Sequence, residues 1–331
     1  MPPTPRIVVV GAGVIGLSTA VELQQVLPGT EIQIVAARFS PDLTSDVAAG
    51  IWRPYISRFT VPELENQVLS SAFIRFTALA RNQECGIIRQ SGYDVTRNVD
   101  APPPPFMAFV RGLRELSREE IDEFGKEYKK GWFYTTYGIQ TTVFIRYLTK
   151  EFLANGGKFV QRELKSLEEL NEDFDIIINC CGLGSRRLLG EEKLYPIRGQ
   201  VVRVRAPAVK HFFMDDDDYI LLNRDFVVLG ATHDKGSWDL SVNEETTRSI
   251  MERNEKIFPE LKYAEILSVH VGLRPFREEI RLEKEIKMTE KGRKVVLIHN
   301  YGHGGSGVTL SLGCAEQVGK MVAEAMMGSK L

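Results

Sequence analysis

Arg6-Ile7-Val8-Val9-Val10-Gly11-Ala12-Gly13-Val14-Ile15-Gly16-Leu17-Ser18 is the stretch whose reading decides the fold. The apolar residues Ile7 to Val10 read as a short strand buried on both faces, as in a parallel sheet. Gly11, Gly13 and Gly16 follow at once, and Leu17 to Leu27 has the apolar spacing of a helix ended by Pro28-Gly29. A second strand is expected over Glu31 to Val35. Strand, glycine turn, helix and strand within about thirty residues turn GxGxxG from a weak pattern into a strong one. Gly11 permits the tight turn, Gly13 lets the backbone approach a pyrophosphate, and Gly16 lets helix and strand pack closely. Ala12, Val14 and Ile15 complete the turn, and the helix start offers N–H groups and partial positive charge to the phosphates. A glycine turn holding no ligand is the weaker reading in this context. The segment predicts a dinucleotide site.

Working outward, 331 residues suffice for two domains with their own cores. A formal net charge of −2 argues against a nucleic-acid partner, which would leave a basic surplus. No apolar run approaches the roughly 18–20 residues needed to span a bilayer. The N-terminus enters a strand almost at once, unlike a signal peptide. Cys85, Cys180, Cys181 and Cys314 show no CxxC pairing and no metal-ligand rhythm, so reduced thiols are expected and no metal. The last three residues, Ser329-Lys330-Leu331, form the tripeptide read by the peroxisomal import receptor, which implies a peroxisomal protein.

After the second strand, Arg38 to Asp46 has loop chemistry, and Val47-Ala48-Ala49-Gly50-Ile51 supplies small residues that let a flat ring come close. Val61 to Ala80 reads as an amphipathic helix with Leu64, Val68, Leu69, Ala72, Phe73 and Phe76 on one face. Ala101 to Pro105 is a stiff connector, and Ser117-Arg118-Glu119-Glu120 is a capping box. Phe144 to Asn155 is helical, Lys158 to Gln161 and Asp175 to Cys181 are strands, and the second of these belongs beside the first strand. Val201–Val204, Tyr219–Leu222 and Phe226–Leu229 read as an antiparallel sheet. Thr246 to Phe258 is helical. Val295 to His299 is a buried strand leading through a glycine-rich turn into a helix from about Val308 to Met327. The expected class is α/β: a discontinuous Rossmann-like domain (1–55, 146–200 and 286–331) for the dinucleotide. A mixed or antiparallel α+β substrate domain (56–145 and 201–285) completes it, with a lid near 213–222.

Glycine spacing leaves the dinucleotide open. No carboxylate ends the second strand to hold an NAD ribose, and Arg38 in its place would favour NADP by spacing alone. Three further segments, read with the opening one, decide. Thr44-Ser45-Asp46-Val47-Ala48-Ala49-Gly50, Val271-Gly272-Leu273-Arg274-Pro275 and His299-Asn300-Tyr301-Gly302-His303-Gly304-Gly305-Ser306-Gly307, together with the opening strand and turn, resemble the D-amino-acid oxidase and D-aspartate oxidase family of FAD flavoproteins. Gly182-Leu183-Gly184-Ser185-Arg186 and Arg198-Gly199-Gln200 fit as well, so the resemblance spans nearly the whole chain.

The resemblance implies FAD, with Thr44, Ser45, Ala49, Gly50 and Ile51 along the pyrophosphate and flavin. Arg38, Leu164 and Gly182 join them toward the adenosine side, and Gly304, Gly305, Gly307, Val308 and Thr309 face the flavin pyrimidine. A helix starting there stabilises the negative charge that grows on the flavin's N1–C2=O edge. For substrate, it implies Arg274 on the α-carboxylate, assisted by the Tyr219 hydroxyl, and the Gly305 carbonyl on the amine. Arginine's planar fork suits a carboxylate and stays charged when desolvated. Ser306, Tyr55 and Arg53 are further expected around the substrate. The implied reaction is hydride transfer from Cα to flavin N5 without a side-chain base. Dioxygen then reoxidises the flavin to give hydrogen peroxide, and the imine hydrolyses to a 2-oxo acid and ammonia.

Side-chain preference divides two readings. Met214, His233 and Tyr55 stand where the enzymes acting on acidic substrates tend to carry arginine, arginine and histidine. Asp215-Asp216-Asp217-Asp218 lies in the lid, where carboxylates would repel an acidic substrate. Neutral or basic D-amino acids are therefore expected, with D-aspartate or D-glutamate as the alternative and Arg53 and Arg58 as cations that would serve it. An NADP-dependent dehydrogenase and a non-catalytic dinucleotide-binding protein are the remaining readings. The expected partners are a D-amino acid, dioxygen and the import receptor; a homodimer is compatible with the sequence, which shows no heptad seam.

Overall fold

The computed structural model describes residues 5–55, 58–59 and 61–328, so the Ser329-Lys330-Leu331 expectation lies outside the described residues. In chain order the chain opens with β1 (Ile7–Val10), α1 (Val14–Val26), β2 (Ile32–Ala36), α2 (Thr44–Val47) and α3 (Pro62–Leu79). Next come β3 (Ile87–Thr96), β4 (Arg111–Glu115), α4 (Arg118–Asp122), β5 (Lys130–Ile139) and α5 (Thr141–Ala154). They are followed by β6 (Lys158–Gln161), β7 (Ile176–Asn179), α6 (Gly184–Leu189), β8 (Tyr195–Arg205), β9 (Phe212–Met214), β10 (Tyr219–Leu222), β11 (Val227–Gly230) and β12 (Asp234–Lys235). The chain ends with α7 (Glu244–Ile257), β13 (Glu265–Met288), β14 (Lys294–His303) and α8 (Gly307–Gly328).

The strands join in the order β4-β5-β3-β9-β10-β11-β8-β13-β14-β7-β1-β2-β6. From β14 to β6 all pairings are parallel. Residues 7–10 and 176–179 are apolar almost throughout because both sheet faces are covered. From β13 to β9 the pairings are antiparallel, and β3 joins β9 in parallel before pairing antiparallel with β5. This is the mixed architecture expected of the α/β class.

β13 ties the two parts together. Its first half, Glu265 to Phe276, pairs with β8, and its second half pairs with β14 up to Met288. Phe276 is the hinge of the exchange, opposite Tyr195 on one side and His303 on the other. Arg274 thus sits two residues before the strand changes partners, beside the carboxyl ends of the parallel strands. Ligands bind open α/β sheets at such positions.

Helices α1, α3 and α8 cover the parallel strands through a close crossing. A Cβ at Gly313 would lie 2.1 Å from the Val68 carbonyl oxygen, so only glycine lets α8 and α3 approach so closely. Arg75 of α3 pairs with the buried Glu22 of α1 and with Glu316 of α8, which fixes the three helices to one another. The Ser117 box is formed as expected: Glu120 N–H donates to the Ser117 hydroxyl, and Ser117 N–H donates back to the Glu120 carboxylate. Two features depart from the sequence reading. Thr44–Val47 is a single helical turn rather than loop, closed by the Asp46 carboxylate accepting the Leu43 N–H at 3.0 Å. The sequence reading also passes over β3, β4, β5 and β13, whose buried and exposed residues do not follow a steady period of two.

Candidate functional site

A single cavity of about 1610 Å³ runs from the start of α1 to the start of α8. That exceeds the roughly 300–1,000 Å³ of a site for one drug-sized molecule and suits a dinucleotide with a small substrate beside it. At one end, the turn after β1 fits a pyrophosphate. Gly11 has φ +113°, and a Cβ there would come within 2.5 Å of the Cys180 carbonyl oxygen. A Cβ on Gly16 would lie 1.9 Å from the Gly11 carbonyl oxygen, so α1 presses against its own turn. Gly13, at the N-cap, has no side chain of its own to cap α1, and the positive end of the helix borders the cavity. The Ser45 hydroxyl instead accepts the Val14 N–H at 3.1 Å, bringing α2 against the turn.

The loop after α2 is held from behind, leaving its small residues facing the cavity. The Ala48 carbonyl accepts from the Thr141 hydroxyl at 3.2 Å, and the Ala49 carbonyl accepts from the Asn223 amide at 3.1 Å. Gly50 has φ +74°, and a Cβ there would strike the Ile139 carbonyl oxygen at 1.8 Å. Arg38, Leu164, Gly182 and Arg187 line the same cavity. The glycine cradle, the helix start bordering the cavity and the cavity's volume together fit FAD.

The other end is built around Arg274. Its guanidinium lies flat against Gly199 of β8, where a Cβ would come within 2.3–2.5 Å of its terminal atoms. It donates to the Thr232 carbonyl at 3.0 Å. Thr232 is held in turn, because its hydroxyl accepts the Gln200 N–H at 3.1 Å. Arg198 and Gln200 bind the carbonyls of Asp239, Ser241 and Asn243 and lock the following segment. Tyr219 stands over Gly230, where a Cβ would meet its ring at 2.2 Å. Burial raises the Tyr219 pKa, and the charge and hydrogen bonding of Arg274 offset part of that rise. Tyr55 stacks near His233 with ring centroids 5.7 Å apart, and Met214 completes this wall. Burial and the Arg274 charge hold His233 down at about 4, so it is neutral at physiological pH.

The sequence-derived residues fall into two groups. Gly11, Ala12, Gly13, Val14, Ile15, Arg38, Thr44, Ser45, Ala49, Gly50, Ile51, Leu164, Gly182, Gly304, Gly305, Gly307 and Val308 line the cavity, with Arg53, Tyr55, Tyr219 and Arg274. Gly16, Ser306 and Thr309 stand behind it. The Ser306 hydroxyl accepts the Tyr55 N–H and donates to the Tyr55 carbonyl, both at 2.7 Å. The Thr309 hydroxyl lies 3.0 Å from the Ile51 carbonyl and accepts the Arg53 N–H at 3.3 Å. Both bind the 51–55 segment to the start of α8 through their side chains. The Arg53 guanidinium is engaged by Asp94, with Nε–Oδ2 at 2.7 Å and Nη2–Oδ1 at 3.2 Å. Burial alone would lower the Arg53 pKa, but Asp94 and Tyr134 hold it above the usual arginine range.

Residues 215–218 do not form four free carboxylates. The buried Asp215 accepts from the Tyr128 hydroxyl at 2.5 Å, and Asp218 accepts a two-pronged contact from Arg253 at 2.8–3.0 Å. Gly199, Thr232 and Gly230 are site residues that sequence reasoning passed over. Of these, only Gly199 carried a signal, as the middle of Arg198-Gly199-Gln200.

Comparison with known proteins agrees with this geometry. The family model described as FAD dependent oxidoreductase matches residues 6–321. Human D-aspartate oxidase is 37% identical over 97% of this chain and 95% of its own length. The D-amino acid oxidase of Dugesia ryukyuensis is 35% identical, covering 98% of this chain and 100% of its own. Among solved structures, glycine oxidase from Bacillus cereus superposes with a TM-score of 0.78 at 22% identity, over 97% of this chain and 95% of that one.

Proposed function

Since the chain belongs to the D-amino-acid oxidase family of FAD-dependent oxidoreductases, we propose that it oxidatively deaminates D-amino acids with neutral or basic side chains in preference to D-aspartate. One observation carries the preference. The two arginines at the substrate end differ in what they hold: Arg274 donates to a carbonyl, whereas Arg53 is already neutralised by Asp94. One guanidinium remains for the α-carboxylate, and none among the described lining residues at that end is left for a second carboxylate. His233 is neutral there, and Met214 offers no charge.

FAD, when bound, supplies the acceptor for the hydride on Cα. The chain's own residues orient that carbon. The Arg274 fork and the Tyr219 hydroxyl hold the carboxylate, and the Gly305 carbonyl beside them takes the amine. With both groups fixed, one enantiomer presents its Cα–H to the cofactor. The amine loses its proton to solvent, so no side-chain base is needed. The imino acid then hydrolyses to a 2-oxo acid and ammonia, while dioxygen takes the two electrons as hydrogen peroxide. Peroxide formation and import into peroxisomes through Ser329-Lys330-Leu331 belong to the same proposal.

The test is a panel of D-alanine, D-methionine, D-arginine, D-aspartate and D-glutamate with peroxide detection. The expected result is a higher kcat/KM for the neutral and basic substrates. The 37% identity to human D-aspartate oxidase favours a second reading, D-aspartate oxidation, and a clearly higher kcat/KM for D-aspartate would establish it instead.

A further inference from the structure

The turn between β9 and β10 carries Met214 on one side and Tyr219 on the other, both of them lining the substrate end. It is tight: Asp215 N–H donates to the Asp218 carbonyl at 3.0 Å, and Tyr219 pairs directly with Met214. Both ends of the turn are fastened to elements outside the hairpin. The Asp215 carboxylate accepts four hydrogen bonds. Two come from the N–H groups of Asp217 and Asp218 at 2.7 and 2.6 Å, one from the Tyr128 hydroxyl, and one from Arg97 at 3.3 Å. Arg97 also reaches Asp217 at 3.0 Å and lies over the Tyr128 ring at 5.2 Å from its centroid. At the other end Arg253 of α7 grips Asp218 with Nε and Nη2, while its Nη1 donates to the Ser249 hydroxyl at 2.6 Å.

We propose that Arg253 and Arg97 are positioning residues for substrate binding, pinning the β9–β10 turn so that the Tyr219 hydroxyl is preset beside Arg274 rather than carried there by a moving lid. The inference rests on the reading of Arg274 and Tyr219 as the carboxylate site. Its physical basis is the pairing of two buried carboxylates with forked donors from separate elements. Buried charges of this kind are held in one geometry, because any excursion leaves them unpaired. The ring of Tyr219 cannot retreat either, since it rests on the bare backbone of Gly230. The pins also cancel half of the charge in the run: two arginines face four aspartates. Only Asp216 and Asp217 are left exposed, and Arg97 is shared with the second.

The experiment uses the FAD-loaded enzyme with two readouts, KM for D-alanine and the Kd of propanoate from flavin difference spectra. Propanoate reads the carboxylate site even if D-alanine is not turned over. Wild-type failure with every D-amino acid would therefore sink the functional reading without silencing this test. Arg253→Ala is expected to raise KM and Kd by about tenfold, the value of one hydrogen bond to a charged group, with kcat and FAD content within about twofold. Arg253→Lys keeps the charge without the fork and is expected to raise both by a smaller factor, which covers the case in which the alanine variant does not fold. The decisive arm is Arg253→Ala combined with Tyr219→Phe, expected to match Tyr219→Phe alone because both remove the same contact. Arg205→Ala, which breaks the exposed pair with Glu265, serves as a control expected to leave both values unchanged. Unchanged KM and Kd in both Arg253 variants would overturn the proposal. So would a double variant whose defect is the product of the two single ones.

Discussion

Gly199→Ala separates the site from the fold more cleanly than replacing Arg274 itself. A Cβ at position 199 would come within 2.3, 2.4 and 2.5 Å of Arg274 Nη1, Nη2 and Cζ. No other neighbour stands within those distances, and Gly199 has no left-handed φ, so the backbone accepts alanine without strain. The atoms in the way are the far end of a flexible side chain. The guanidinium swings aside, and the strand itself gains about 0.5–1 kcal/mol from losing a glycine. Stability is therefore expected to stay within about 1 kcal/mol, or a Tm change of about 3 °C. Activity should not be spared. Depriving a desolvated carboxylate of its charged partner costs about 2–5 kcal/mol, and each ~1.4 kcal/mol is about tenfold in kcat/KM. Displacement is milder than deletion, so the lower end applies, a loss of about thirtyfold or more carried mainly by KM. Steady-state oxidation of D-alanine, with Tm and flavin content measured on the same preparation, decides the matter. A KM within threefold of wild type, with alanine confirmed at 199, would refute the placement of Arg274 on the substrate carboxylate.

Gly16→Ala should behave in the opposite way. Its Cβ meets backbone, the Gly11 carbonyl oxygen at 1.9 Å, so the turn must open; flavin absorbance of the purified protein and Tm should both fall, and full FAD content would exclude this account of the cradle. Asp94→Ala leaves the buried Arg53 charge without its carboxylate. Chemical denaturation should show a loss of about 3–5 kcal/mol, and a loss below about 1 kcal/mol would mean that Arg53 finds another partner. For pH, His233 is held down at about 4 against an unfolded value of about 6.5. Between those values the unfolded chain binds the extra proton, so stability drops as pH falls through that window and is unaffected by this group above it. His303, held down at about 3 by burial, acts in the same direction. Urea denaturation at pH 7 and pH 4.5 should show a smaller pH difference in His233→Gln than in wild type, and equal differences would remove His233 from the acid response.

The parallel half of the fold was legible because its signals are local. Ile7 to Val10 falls on the strand as read, and Asp175 to Cys181 contains the strand that pairs with it in parallel. A buried strand followed by glycines looks the same wherever the chain places it. The antiparallel half was legible only in part, because Glu265 to Met288 alternates by the demands of two different neighbours, β8 and then β14. No single period survives that exchange, and Arg274, the residue proposed to hold the substrate carboxylate, lies just before it. The same physics separates what sequence reveals of the site from what it hides. Arg274 and Tyr219 stand out only through the family resemblance of Val271 to Pro275 and of the Tyr219 strand, because by type alone an arginine is as readily a surface ion pair. Arg53 has the same side chain as Arg274 and also borders the pocket, yet Asp94, forty-one positions away, takes up its charge. The aspartates at 215 and 218 look like a repulsive patch until Tyr128, Arg97 and Arg253 arrive from three other segments to bind them. In each case the residue type states what a side chain can do. Its partner, brought in by the fold from far along the chain, decides whether that capacity is still available to a substrate.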